Sequence, residues 1–74
     1  MSKFAVVYEA PTQPEGNWCA YAPDLPGLAV VGDTLEECRE NIVSGIEVYF
    51  DALARKGLPI PESTTRTEEL SVAA

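Results

Sequence analysis

Four carboxylates stand where a chain of this size could place chemistry: Glu9, Asp24, Asp33 and Glu37. Side chains of this kind, converged on a pair of divalent cations, hydrolyse phosphodiesters by a two-metal route. The surrounding sequence assigns each of them another duty. Glu9 ends an apolar run, Asp24 sits in the proline-bounded turn Pro23-Asp24-Leu25-Pro26-Gly27, and Asp33 and Glu37 flank a helix start. None is fixed mid-strand and turned inward, so the expectation is a non-enzyme with no catalytic residue, no metal and no cofactor. The chain has no histidine, which removes the commonest general base and every triad built on an imidazole. Trp18, Tyr8 and Tyr21 offer rings of the kind that stack on bases, but Lys3, Arg39, Arg55, Lys56 and Arg66 are scattered, with only Arg55-Lys56 adjacent. With 5 basic against 12 acidic residues, a net charge of -7 repels a phosphate backbone. Direct nucleic-acid contact and a small-molecule substrate are therefore not expected, and a basic protein is the complementary partner.

Periodicity and punctuation define the elements that hold these residues. Residues 3–9 read as a strand with Phe4, Val6 and Tyr8 on one face and Ala5 and Val7 on the other. Residues 11–17 hold turn formers without periodicity and join it to a second strand over residues 18–22, which the two prolines that follow must stop. Residues 28–31 make a third strand ended by Gly32, completing an antiparallel meander. Thr34 with Glu37 three residues later forms a capping box, and Asp33 suits the positive end of the helix dipole, so these three residues open a helix. Its apolar face is Leu35, Cys38, Ile42, Ile46, Tyr49 and Leu53, and it ends at Gly57 ahead of Pro59 and Pro61.

A helix over residues 34–56 is about 35 Å long, whereas strands of five or six residues span about 17–20 Å. Half of it overhangs the sheet, and Val48, Phe50 and Leu53 on the overhang are the expected contact between copies. Leu70 and Val72 alternate with Ser71 and Ala73 in a weak fourth strand, placed parallel to the first and beside it, the alternative being a frayed tail. The expected class is α+β in the order β-β-β-α-β. The helix covers one sheet face and leaves open whichever of the pairs Trp18/Ala20 and Cys19/Tyr21 points away.

Seventy-four residues make one domain, and a chain this short hides only about 60% of its surface on folding, which favours a homo-oligomer, a dimer or tetramer. The start Met1-Ser2-Lys3 leads into no signal-peptide pattern, and no stretch reaches the roughly 20 apolar residues of a membrane span. A cytoplasmic location follows, with Cys19 and Cys38 as free thiols rather than a disulfide.

The run Pro23-Asp24-Leu25-Pro26-Gly27, then Gly32-Asp33-Thr34 and Glu36-Glu37 leading into an amphipathic helix, resembles the HicB-like antitoxin family. The opening strand with Tyr8, the aromatic second strand and the exit Gly57-Leu58-Pro59-Ile60-Pro61 are also similar to that family, so the likeness covers nearly the whole chain. Two departures are conservative: Leu28 where cysteine is frequent and Cys38 where alanine is usual. The resemblance implies a partial ribonuclease-H-like fold and the antitoxin of a type II toxin–antitoxin pair, which binds and neutralises a small basic HicA-type toxin that cleaves mRNA. Trp18, Tyr21, Asp24 and Leu25 are the candidate toxin contacts. Many members carry a further helix-turn-helix or ribbon-helix-helix segment for operator DNA, and none is read here, so residues 1–74 are expected to be a single HicB-like domain without a separate C-terminal DNA-binding domain. The alternative is a stand-alone structural or regulatory module that acts through homo-oligomerisation or another protein.

Overall fold

The computed structural model describes residues 2–73. Strands β1 (Val7–Glu9), β2 (Trp18–Tyr21) and β3 (Ala29–Gly32) form an antiparallel sheet in the order β1-β2-β3, followed by helix α1 (Leu35–Arg55). The α+β class, the meander and the helix agree with the sequence reading. Tyr8 lies opposite Ala20 and Ala20 opposite Val30, which puts one row of side chains across all three strands. That row meets the helix: Ala20, Cys38 and Ile42 form the buried cluster, with Val6, Tyr8, Trp18, Leu28, Val30 and Ile46 packed around it.

The ladder is shorter than the alternation of residues 3–9 suggests. Opposite residues 3–6 the second strand has reached Ala22 and Pro23, where a residue without an N–H begins a turn and offers no partner.

Two local devices set the helix on the sheet. Thr34 Oγ1 accepts from the Glu37 N–H at 3.0 Å, while Glu37 Oε1 accepts from the Asp33 N–H at 3.3 Å, one residue earlier than in the usual reciprocal box. Gly32 supplies the seat, since a Cβ there would stand 2.6 Å from the Cys38 nitrogen and 2.9 Å from its Cα. Only glycine lets the first turn of α1 approach the end of β3 so closely. At the other end the Leu58 N–H donates to the Leu53 carbonyl at 2.9 Å and the Gly57 N–H to Ala54 at 3.1 Å, a Schellman closure.

The overhang is partly covered. Phe4, upstream of the β1 ladder, packs its ring on Phe50 with centroids 5.5 Å apart and planes tilted by 58°. Phe50 and Leu53 are half-buried, and Val48 remains 69% exposed.

The fourth strand does not form in the single chain. Residues 59–73 follow the helix without regular structure, and Leu70 and Val72 are 73% and 79% exposed. Leu70 and Val72, the two large apolar side chains of residues 67–73, cannot offset an ordering cost of about 1–2 kcal/mol per residue.

The molecule is open for its mass. It exposes 5916 Å², against about 4,450 Å² for a folded monomer of 8.0 kDa. Its radius of gyration is 14.2 Å, with extents of 47 × 29 × 19 Å, where about 11 Å is usual for this length.

Candidate functional site

The turn after β2 is the junction of the fold. Leu25 is fully buried, its N–H donates to the Ala22 carbonyl at 3.0 Å, and its own carbonyl accepts from Leu28 at 3.2 Å. Gly27 adopts φ +85°, which a side chain would resist. From the helix, the Tyr49 hydroxyl donates to the Pro26 carbonyl at 3.0 Å.

Asp24 joins this turn to the segment after the helix. Its Oδ2 accepts from the N–H groups of Thr64 and Thr65, both at 2.9 Å, and its Oδ1 accepts from their hydroxyls at 3.1 and 2.8 Å. The backbone and hydroxyl bonds from Thr65, helped by those from Thr64, hold the Asp24 carboxyl below its ordinary pKa, against a smaller opposing effect of burial. The sequence places Asp24 as a turn former or partner contact, and the structure adds a long-range clasp. Thr64 and Thr65 lie 40 and 41 residues away in a polar segment, so no local pattern announces the pairing.

Pleat and register identify the uncovered sheet face. Trp18 and Ala20 point towards α1, so Cys19 and Tyr21 point away, joined by Val7 and Ala29 in one cross-strand row and by Glu9 and Val31 in the next. Tyr21 is 37% and Val31 57% exposed. The Cys19 thiol donates to Glu9 Oε1 at 3.5 Å. Partial desolvation, then the hydrogen bond to Glu9 and its negative charge, raise the Cys19 pKa above the ordinary thiol value. Cys19 and Cys38 are unpaired.

The four predicted toxin contacts do not share one surface. Tyr21 lies on the uncovered face, Trp18 is half-buried on the helix side, Leu25 is enclosed, and Asp24 is engaged with Thr64 and Thr65. Val7 lies in the same cross-strand row as Tyr21 and Val31 in the next, so both belong to the uncovered face.

A second apolar feature lies beside the helix, a groove of about 440 Å³ between Gly27-Leu28 and the α1 residues Ser44, Gly45, Val48 and Ala52. Of the predicted self-association residues, Val48 lines it. The four carboxylates considered for metal chemistry are distributed between the β1 end, the Asp24 clasp and the helix start. Among the described residues no three Cys, Asp or Glu side chains group as metal ligands, and no helix is long and apolar enough to cross a membrane.

The chain combines exposed apolar surface on its sheet and helix with a net charge of -7. The family described as "HicB_like antitoxin of bacterial toxin-antitoxin system" matches residues 4–73, and the chain belongs to it. It is also similar to the UPF0150 protein ssr1765 of Synechocystis sp. (strain ATCC 27184 / PCC 6803 / Kazusa), with 34% identity over 58 residues, 78% of this chain and 73% of that protein. No solved structure matches the chain.

Proposed function

We propose that the protein is a non-catalytic antitoxin that binds and neutralises a HicA-type, mRNA-cleaving toxin in the cytoplasm. The observation that carries this reading is the antitoxin-family match across residues 4–73. The net charge of -7 supports a basic partner, because complementary potentials speed encounter and disfavour wrong pairings.

The toxin contact is assigned to the uncovered sheet face, centred on Tyr21 and Val31 with Val7 and Cys19 around them. Tyrosine suits such a centre, with a broad apolar ring and a hydroxyl for the rim. Asp24 and Leu25 act on this contact from behind by fixing the turn, and Trp18 acts by setting the sheet on the helix. Self-association belongs to the same reading, through Val48 and its groove, with Phe50 and Leu53 supporting the helix beneath. The partial ribonuclease-H-like relation is a further part of the proposal, supported by the meander-then-helix order.

The test is titration of the toxin's mRNA cleavage with the purified full chain. Neutralisation at equimolar protein is expected, and Val31→Asp should weaken it by roughly a hundredfold, since an unpaired charge is buried in an apolar contact. Neutralisation by Val31→Asp equal to that of the unaltered chain would move the contact off this face.

A further inference from the structure

We propose that residues 67–73 add as a strand to the β1 edge of a second copy of the chain, each copy giving its segment to the other. A single molecule leaves two requirements unmet.

The first is a segment without a sheet. The Asp24 clasp fixes Thr64 and Thr65, so the following residues leave from a defined root. Beyond it Leu70 and Val72 alternate with Glu69, Ser71 and Ala73, a period of two that suits a strand with one apolar face. Both apolar side chains are nevertheless more than 70% exposed.

The second is a sheet without a strand. The sheet has two edges, and they differ. β3 is tied to the helix, where Asn41 Nδ2 donates to the Val31 carbonyl at 2.8 Å. For residues 3–9, among the described residues, no backbone hydrogen bond is made beyond the ladder with β2. Those seven residues alternate as a strand but are paired only over Val7–Glu9. An edge of this kind is a template for another strand. Residues 67–73 match its length, about 23 Å if extended. Placed there with Leu70 and Val72 towards the helix, they continue the row of Phe4, Val6 and Tyr8 and enlarge a core whose largest fully buried side chains, among the described residues, are Leu25, Ile42 and Cys38.

Surface area selects a second copy as the occupant. The chain exposes about 1,450 Å² beyond what its mass predicts, whereas a standard interface takes about 800 Å² from each partner. Reciprocal exchange satisfies both the segment and the edge in one symmetric step. The exchange is independent of the toxin reading and requires no toxin for its test.

The experiment compares light-scattering mass and amide hydrogen exchange for the unaltered chain, Leu70→Glu/Val72→Glu and Val48→Asp. The unaltered chain is expected at twice 8.0 kDa or more, with protected amides on the outer side of residues 3–9. Leu70→Glu/Val72→Glu should halve that mass and lose the protection while keeping its helical circular dichroism, because both side chains are exposed in the single chain. An unaltered mass and unaltered protection in that variant would overturn the exchange, as would dissociation to single chains, with that protection lost, by Val48→Asp alone. A monomeric unaltered chain with protected residues 3–9 would also overturn it, by assigning the strand to its own sheet.

Discussion

Asp24 is the residue on which chain segments far apart in sequence converge. Its four acceptor contacts explain why the turn and the segment after the helix stay together without a ladder. Because the folded carboxyl has a lowered pKa, the clasp is complete above the ordinary carboxylate value of about 3.9 and is lost as pH falls through the lower folded value. Acidification through the lowered Asp24 pKa should therefore reduce the protection of the Thr64 and Thr65 amides, relative to their intrinsic exchange rates at each pH, before the α1 amides respond. In Asp24→Ala the same two amides should exchange rapidly at neutral pH, with the helix signal retained. Protection that persists in Asp24→Ala would show that something else holds the segment. The turn itself was legible from its two prolines and glycine. The clasp was not, since hydrogen bonds spanning 40 residues leave no periodic trace.

At the scale of elements, α1 was legible almost to the residue because its signals are local: Thr34 and Glu37 at one end, Gly57 and two prolines at the other. The strands were legible in existence but not in length, because pairing depends on what lies opposite. Residues 3–6 lose their ladder at Pro23, and Leu70 and Val72 have no sheet within the chain. Gly32 reads in the sequence as a strand terminator, yet its larger role is the close seat of the helix, visible only once β3 and α1 are brought together. Gly32→Ala should destabilise the protein by about 1–3 kcal/mol, the usual cost of overpacking, because the obstructing atoms are backbone. Urea unfolding measures this directly, and an unchanged midpoint would mean that the helix start moves aside freely.

For the whole molecule the balance of surface and core governs. Among the described residues the buried hydrophobic side chains are those of Ala20, Ala22, Leu25, Cys38 and Ile42, and none is aromatic. Apolar side chains remain on the sheet face at Tyr21 and Val31, along the helix at Val48, and beyond the clasp at Leu70 and Val72. Length and composition already pointed to self-association, but not to its surfaces, since exposure is set by which elements the chain brings together. Phe50 illustrates this: helical spacing puts it on the overhang, and the structure covers it with Phe4. Val48 is therefore the sharper probe of the groove. Val48→Asp should lower the light-scattering mass at micromolar concentration no further than the strand-exchanged pair and leave the helix intact, whereas an unchanged mass would exclude the groove as a contact between copies.

In the function proposed above, this acidic chain works by holding a basic toxin. Affinity purification of the tagged full chain from its native cells, with mass spectrometry of whatever accompanies it in stoichiometric amount, tests that claim most directly. A small basic ribonuclease of the HicA type should accompany the chain and be released as salt screens the charge attraction. Recovery of this chain alone, at low salt and from cells expressing it, would contradict the antitoxin reading.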